Sequence, residues 1–473
     1  MITLDVIFET LSQESPSWAS HVISDVGVDS RKMIPGSMFV AIPGEKVDGH
    51  DYLDDAFGNG ASFALIQRPV QTDRPVLDLR SGVDSDFSEA VEVPFCLLVD
   101  NTIESLQQVA REWRSRLNVR IIGITGSVGK STTKELMAAV LRQRYRTLKN
   151  PGNLNNEIGL PLTLWQLSPG HDRAVLEMGF YVPGEIKFLC DIARPAVGVI
   201  TTIGTVHAER AGSQQEIARG KSELVEALPP GPEGVAVLNY DDPLVKEMAG
   251  KTKARVFYYG LNPGADLWAD EVEGLGLDGI RFRLHYQGET IHVKVPLIGR
   301  HSVHTVLRAA AVGLKEGLSW EEIIRGLRTG HNQLRLVAVR STCGALLLDD
   351  TYNASPKSVL AALNLLEEME GHKVAVLGDM LELGRYEYQG HQKVGIRAAE
   401  VADSLVTVGK LGKIIAETAL SAGLDPEQIH SFSDSDQAVE YLNRVLTDND
   451  VVLVKGSHGM RMDRIVASLE VNV

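Results

Sequence analysis

Residues 123–132, GITGSVGKST, have the composition of a phosphate-binding loop. They follow the apolar run 119–124 and lead into a helical stretch. Glycines let backbone N–H groups close around phosphate oxygens, and the helix that follows directs its positive end at them. In such a loop Lys130 neutralises the outer phosphates and Ser131 offers its hydroxyl to Mg²⁺. The segment predicts a nucleoside triphosphate site that includes Gly126, Ser127, Gly129, Lys130, Ser131 and Thr132.

The spacing of this loop departs from the standard P-loop pattern, which has a glycine where Ile124 stands. A glycine-rich structural turn ahead of a helix is the alternative interpretation. The succession of strand, turn, Gly-Lys-Ser and helix favours phosphate binding over that alternative.

Polar residues at the ends of two later strands extend the predicted site. Glu177 ends the apolar run 174–178, where a carboxylate can hold Mg²⁺ directly or through water. The alternative is an ordinary solvated glutamate. Asn239 and Asp241 follow the strand 235–238 and offer polar groups to an adenine or a ribose, or else form a turn.

A second polar cluster lies near the C-terminus, where a predicted strand gives way to a loop. Ligands bind at such places in open α/β sheets. The cluster comprises Asp349, Asp350, Tyr352, Asn353 and Ser355, and the strand 451–454 is followed by Lys455 and Ser457.

Length and composition bound the class of protein. A chain of 473 residues predicts about three domains. A net charge of -15 argues against a general nucleic-acid binder, because phosphate backbones require a basic surface. Cys96, Cys190 and Cys343 are far apart and odd in number, so we expect buried free thiols rather than disulfides or zinc ligands. No signal peptide and no long apolar run is found, which predicts a cytoplasmic protein without membrane contact.

The succession of patterns predicts an α/β fold in three domains. Residues 1–101 hold short strands, interrupted at 69–94 by an acidic stretch that we interpret as a surface insertion. In residues 102–328 strands alternate with helices, which predicts a mainly parallel sheet, and the alternating pattern of 265–298 predicts an antiparallel part with a turn at Gln287-Gly288. Residues 329–473 predict a Rossmann-like domain.

Several segments together resemble the Mur ligases of bacterial cell-wall synthesis. They are VDSRKMIPGSMFVAIPGEKVDGHDYL, NPGNLNNEIGLPLTL, VLEMG, TTIGTVHAERAGSQQEIARGKSEL, DDTYNASPKSVLAAL, VLGDMLELG and VLVKGSHGMRMD. The last three resemble the member that joins D-alanyl-D-alanine to UDP-N-acetylmuramoyl-tripeptide. The resemblance implies an ATP-dependent amide ligase that works through an acyl phosphate. It also implies a uridine-nucleotide domain, a central ATPase domain and a third domain that closes on ATP and the dipeptide in a monomer.

The resemblance also assigns roles that the residues alone do not. It implies that His207 is a ligand of a second Mg²⁺. It also implies that Lys221 is carbamylated, so that its anionic carbamate ligates Mg²⁺ beside Ser131 and Glu177. Arg335 matches an arginine that reaches the γ-phosphate, although Leu334 replaces the usual glycine before it. Taken singly, these residues could be a structural histidine, an exposed helix lysine and a salt-bridging arginine.

The implied peptide and nucleotide contacts are spread along the chain. Asp29, Ser30, Arg31, His50 and Asn156 are expected to bind the uridine-linked substrate, and Tyr352, Asn353, Ser355, Lys455 and Ser457 the phosphate or the dipeptide. The segment 299–306 resembles an adenine-site motif but carries Ser302 and Thr305 where that motif has asparagines. The alternatives are a Mur ligase for another amino acid, a folate polyglutamate synthase, or a nucleotide-binding regulator with an inactive site.

Overall fold

The computed structural model describes residues 2–44, 47–80, 87, 89–329 and 337–470. The chain divides into two compact units. The first comprises Met1–Gly123, Tyr145–Gly179 and Glu185–Val197, and the second comprises Ile124–Arg144, Phe180–Gly184 and Gly198–Val473. Across the described residues the strands form three sheets, of five, nine and six strands, with helices between them. The predicted α/β class with mainly parallel sheets is confirmed.

The five-stranded sheet of the first unit is wholly parallel, in the order β1-β2-β3-β5-β4. Its strands are β1 (Val26–Gly27), β2 (Ser37–Val40), β3 (Ala61–Ile66), β4 (Val76–Asp78) and β5 (Phe95–Leu98), and its helices are α1 (Leu4–Leu11), α2 (Leu53–Gly58) and α3 (Thr102–Ser115). Strands β2 and β5 are buried along their whole length, as expected for a parallel sheet covered on both faces. The acidic stretch contributes the short edge strand β4.

The middle of the chain alternates strands with helices as predicted. Its elements are β6 (Arg120–Thr125), α4 (Lys130–Leu141), β7 (Thr147–Lys149), α5 (Gly159–Trp165), β8 (Arg173–Glu177), α6 (Glu185–Ala193), β9 (Val197–Ile200), α7 (Ala208–Ala211), α8 (Gln214–Glu226), β10 (Val235–Asn239), α9 (Pro243–Lys246), β11 (Arg255–Gly260), β12 (Leu267–Gly274), β13 (Ile280–Tyr286), β14 (Glu289–Val295), α10 (Val303–Lys315) and α11 (Trp320–Thr329). In the second unit the strand order is β14-β13-β12-β11-β10-β9.

The predicted antiparallel part of this sheet is confirmed. Strands β12, β13 and β14 pair antiparallel, whereas β10, β11 and β12 pair parallel. Gln287 and Gly288 form the turn between β13 and β14 with φ values of 49° and 84°. Two successive positive φ angles suit the twist of a tight hairpin.

The C-terminal sheet has the order β15-β16-β20-β17-β18-β19, with only β15 antiparallel among its described strands. Its elements are β15 (Val337–Arg340), β16 (Leu346–Asp350), α12 (Pro356–Glu367), β17 (His372–Gly378), α13 (Glu387–Val401), β18 (Ser404–Val408), α14 (Gly412–Ser421), β19 (Ile429–Phe432), α15 (Ser435–Val445), β20 (Asp450–Lys455) and α16 (Asp463–Leu469). Alternate β20 residues face two separate cores: Val451 and Leu453 pack in one, Val452 and Val454 in the other. Helices therefore cover both faces, as in a doubly wound sheet.

One prediction about the cysteines is wrong. Cys96 and Cys190 are buried free thiols, but Cys343 is exposed because it lies in the turn between β15 and β16. Within the described residues, no helix combines the length and apolar character needed to cross a membrane. The domain boundaries after residues 101 and 328 stay predictions.

Candidate active site

The phosphate loop joins the end of β6 to α4 in a conformation that requires glycine at two positions. Gly126 has φ 147°, and a Cβ there would lie 1.8 Å from Thr201 Oγ1, so no side chain fits. Gly129 has φ 82° and caps α4. Lys130 begins that helix, and its Nζ donates to the Gly126 carbonyl at 2.9 Å. The predicted strand, turn and helix are all present.

The segment that follows β9 fixes the loop in place. The Ser127 N–H donates to the Thr202 carbonyl, and the Gly204 N–H donates to Ser127 Oγ, each at 2.8 Å. Asp242 in turn accepts from Thr202 Oγ1 and from the Ile203 N–H, both at 2.9 Å. Hydrogen bonds from Ser127 and to Ser127 thus hold the loop against the segment that follows β9.

A cavity of about 200 Å³ opens beside the phosphate loop within the second unit. Three parts of the chain supply most of its lining: the loop itself, the segment around the start of α10, and the loop after β16 with α12. Val206 and Lys455 complete it. Of the predicted site residues, the cavity brings together Ser127, Gly129, Lys130, Ser131, Thr132, Asp350, Asn353, Ser355 and Lys455. Residues far apart in sequence and predicted for one reaction therefore share one cavity.

A buried ion pair organises the far wall of this cavity. Lys455 is 2% exposed, and its Nζ lies 2.7 Å from Asp350 Oδ2 and donates to the Asn353 carbonyl at 2.8 Å. The ammonium thus fixes the loop between β16 and α12. We predicted a contact between Lys455 and substrate, and the structure adds this positioning role.

The start of α12 is set by its cap and by one lysine that the sequence reasoning missed. Ser355 and Ser358 form a capping box, with Pro356 in the first turn. The Nζ of Lys357 donates to Thr202 Oγ1 at 3.0 Å and to the Ile203 carbonyl at 2.7 Å. Lys357 therefore ties α12 to the segment that holds the phosphate loop.

His207 lies in the same unit and is held by an acidic partner. Its Nδ1 is 2.7 Å from Glu382 Oε2, and both residues have left-handed backbones, with φ of 67° and 63°. Burial, reinforced by the charges of Lys130 and Lys221, lowers the pKa of His207 to about 4. The imidazole is therefore neutral near pH 7. With its Nδ1–H on the carboxylate, its Nε2 lone pair can bind a cation.

Lys221 lies on α8 and is 1% exposed, so the alternative of an exposed helix lysine is wrong. Its Nζ lies 4.5 Å from the centre of the Phe180 ring. A Cβ at the adjacent Gly220 would approach that ring to 2.1 Å, which shows how closely α8 packs there. This enclosed setting suits a lysine with a chemical role.

Glu177 lies in the first unit at the end of β8 and is 2% exposed, so it is not an ordinary solvated glutamate. Asn155 Nδ2 donates to Glu177 Oε1 at 2.9 Å, and Asn150 exchanges hydrogen bonds with the Glu177 backbone at 2.9 and 3.2 Å. The two asparagines position the carboxylate. Sequence reasoning quoted their segment, NPGNLNN, but gave neither residue this role.

The predicted uridine-nucleotide residues form a short helical turn in the first unit. Asp29 caps the 3₁₀ turn Ser30–Lys32 and makes a two-point ion pair with Arg31, at 2.8 and 2.9 Å. Hydrogen bonding from Arg31 lowers the pKa of Asp29 to about 2. The Arg31 side chain is 84% exposed, so it remains accessible to an anionic ligand.

His50 is a structural residue in this unit, because both of its ring nitrogens are engaged. Nδ1 lies 2.6 Å from Asp48 Oδ1, and Nε2 accepts the Gln67 N–H at 3.0 Å. Asn156 likewise caps the start of α5 by accepting the Gly159 N–H at 2.8 Å. Neither side chain needs a ligand to satisfy it.

The predicted base or ribose contacts make turn-forming bonds, as in the alternative interpretation. Asn239 Oδ1 accepts the Asp241 N–H at 3.0 Å, and Asp241 accepts from the backbone of Leu261 at 2.7 Å. Asp241 Oδ2 also lies 3.0 Å from His304 Nε2. Neither Asn239 nor Asp241 lines the cavity.

Tyr352 and Ser457 do not line the cavity either. Tyr352 is 43% exposed, with its ring 6.2 Å from that of His458. Ser457 is buried, and its Oγ accepts the Leu381 N–H at 2.9 Å. Arg335, with Leu334, lies outside the described residues.

These features define an α/β protein of the phosphate-loop nucleotide-binding class. Residues of the phosphate loop and of the C-terminal Rossmann-like sheet line the same cavity. The chain belongs to the Mur ligase family. Three family models match it: the Mur ligase family catalytic domain over residues 22–114, the Mur ligase middle domain over 124–313, and the Mur ligase glutamate ligase domain over 334–458.

Curated relatives match over nearly the whole chain. A UDP-N-acetylmuramoyl-tripeptide--D-alanyl-D-alanine ligase of Synechocystis is 37% identical over 94% of this chain and 92% of its own length. The ligase of the same name from Bacillus subtilis is 34% identical over 96% and 95%.

Two solved structures share the whole fold. MurF from Acinetobacter baumannii superposes with a TM-score of 0.83 at 30% identity, covering 99% of this chain and 98% of that one. MurF of Thermotoga maritima in complex with ADP gives a TM-score of 0.76 at 26% identity, covering 94% and 96%.

Proposed function

We propose that this protein is an ATP-dependent, ADP-forming ligase that adds D-alanyl-D-alanine to UDP-N-acetylmuramoyl-tripeptide in cytoplasmic peptidoglycan precursor synthesis. The observation that carries the proposal is the single cavity lined by Lys130 of the phosphate loop and by the Asp350–Ser355 loop of the C-terminal sheet. Relatives of that activity match along 94% and 96% of the chain, so the proposal covers all of its parts.

The reaction needs an activated acyl group, because a carboxylate is a poor electrophile. The terminal carboxylate of the tripeptide attacks the γ-phosphorus of ATP, ADP leaves, and an acyl phosphate forms. The amine of D-alanyl-D-alanine then attacks the acyl carbon, loses a proton and expels inorganic phosphate. The protein supplies alignment and positive charge. Lys130 balances phosphate charge, and the Lys455–Asp350 pair shapes the wall at which we place the dipeptide.

Magnesium fits the donors of the second unit. Among the described residues, no three His, Cys, Asp or Glu side chains cluster closely enough to hold a metal by themselves. Mg²⁺ is usually held by a few protein ligands, and phosphate oxygens and water complete its shell. We assign it to Ser131, His207 and Lys221, and the ion would neutralise charge on the phosphates. Glu177, in the first unit, stays a predicted ligand.

Lys221 can bind a cation only after chemical change. Carbon dioxide adds to a neutral lysine amine, the nitrogen loses a proton, and an anionic carbamate results. Burial sets Lys221 apart from a solvated lysine, and a bound cation would balance the charge of the carbamate. We also propose that the exposed Asp29–Arg31 turn contacts the uridine nucleotide, and that His50 supports the fold around it.

The experiment is a reconstituted assay of phosphate release. We expect release only when ATP, Mg²⁺, UDP-N-acetylmuramoyl-tripeptide and D-alanyl-D-alanine are all present, with a product whose mass is the sum of the two peptides less one water. Tripeptides ending in diaminopimelate and in lysine are assayed side by side. Release with glutamate and a folate, or release without the dipeptide, would contradict the proposal.

A further inference from the structure

Arg308 is a buried charge at an unexpected place. It lies on α10, is 5% exposed, and is followed by three buried alanines, Ala309, Ala310 and Ala311. Arginine is rarely buried to this extent unless an acidic group pairs with it. Nothing in an alanine-rich stretch of helix predicts a buried guanidinium, so the residue calls for a physical reason.

The partners of Arg308 are all neutral. Nε donates to the His304 carbonyl at 2.9 Å, Nη2 donates to Thr305 Oγ1 at 3.0 Å, and Cζ lies 5.8 Å from the centre of the Tyr259 ring. Among the residues that the structure describes, no ion pair involves Arg308. Burial lowers the pKa of Arg308, and only Tyr259 opposes that effect. A buried charge without a counter-charge costs stability.

The guanidinium lies beside the phosphate loop at Gly129. A Cβ built on Gly129 would lie 3.5 Å from both Nη1 and Nη2 of Arg308, which is van der Waals contact. Gly129 and Thr305 also line the cavity, whereas Arg308 does not. The positive charge therefore lies one residue layer away from the place where the loop amides bind phosphate.

We propose that Arg308 is a nucleotide-positioning residue whose charge, acting through Gly129 and Thr305, favours nucleoside di- and triphosphates over uncharged nucleosides. The charge acts strongly because the protein interior screens it less than water does. Thr305, which stands where the family motif has an asparagine, has its hydroxyl engaged by Arg308 in this chain. The proposal rests on nucleotide binding at the phosphate loop and does not require the ligase reaction.

The test compares three substitutions by calorimetric titration with adenosine, ADP and ATP in the absence of peptide substrates. R308M removes the charge at similar length and R308K keeps it. R325M is the matched control, because Arg325 lies on the next helix, α11, is exposed, and is paired with Glu321 at 2.7 Å. We expect R308M to weaken ADP and ATP binding about tenfold and adenosine binding less than twofold. R308K stays within threefold of the parent, and R325M leaves all affinities unchanged.

Thermal unfolding of the nucleotide-free protein separates this role from a structural one. Because an unpaired buried charge is costly, R308M is expected to unfold at the same temperature as the parent or higher. A lower unfolding temperature, failure to fold, equal loss of adenosine and ATP affinity, or unchanged ATP affinity would each overturn the proposal. Since no peptide is used, the result stands whether or not the ligase assay succeeds.

Discussion

The predicted role of Lys130 in the reaction depends on the positive charge of its side chain. Lys130 begins α4 and precedes Ser131, and both residues line the cavity. Replacing it with methionine (K130M) removes the cation and keeps the length. We expect kcat to fall by about 10²- to 10³-fold, the usual cost of losing one donor to developing charge. Steady-state phosphate release measures it, with K187M, on the exposed face of α6, as the control.

Lys221 is tested in the opposite way: its side chain is removed, and a small anion is added from solution. If the carbamate is the active form, K221A loses activity by at least about 100-fold, and formate or acetate at high concentration restores part of it. The control is K130A, in the same unit. Formate or acetate must not restore its activity, because an added anion cannot replace a cation. Near-full activity of K221A without added carboxylate would exclude the carbamate.

The limits of sequence reasoning are clearest at this scale. Asn, Asp and His serve both as ligand contacts and as backbone caps, and the residue type does not say which. His50, Asn156 and Asp241 stay predicted ligand contacts, and each also binds a backbone group. Arg308 was missed for the reverse reason, since only the packing reveals that it is buried.

At the scale of elements, the sequence patterns performed well wherever they followed from backbone geometry. Period-two alternation predicted the antiparallel β12–β14 part, and apolar runs predicted buried parallel strands such as β20. How α12 is held against the phosphate loop was not predictable, because it depends on a hydrogen bond from Lys357 to a segment about 150 residues earlier.

Lys357 therefore allows a test of how α12 is positioned. A cation in the first turn of a helix is unfavourable to the helix dipole, and here its bonds to Thr202 and Ile203 offset that cost. Its side chain is 52% exposed, so the bonds contribute on the order of 1 kcal/mol. K357M should lower kcat roughly five- to tenfold, while ADP affinity stays unchanged because the loop keeps its own bonds.

The controls for Lys357 separate position from charge. K357R retains a donor and should recover part of the lost rate, and K413M on α14 should behave as the parent protein. A loss of ADP affinity in K357M as large as the loss of rate would show that the lysine supports the loop itself and not the placement of α12.

At the scale of the whole molecule, the proposed ligand sites fall in two compact units. The first contains the Asp29–Arg31 turn, and the second contains the phosphate loop and the Asp350–Ser355 wall. Three successive α/β patterns predicted several ligand sites on one chain, but not which segments group together. β6 is divided between the units after Gly123, α6 belongs to the first unit, and α4 belongs to the second.

This division predicts distinct patterns of amide hydrogen exchange. Binding stabilises the elements that a ligand contacts, by about 2.7 kcal/mol at a concentration of 100 Kd. ADP alone should therefore slow exchange roughly 100-fold at most in residues 126–132 and 350–358 and leave residues 26–40 unchanged. UDP-N-acetylmuramoyl-tripeptide alone should protect residues 26–40. Protection of 26–40 by ADP, or of 126–132 by the uridine nucleotide without ADP, would contradict the assignment of the two ligands to two units.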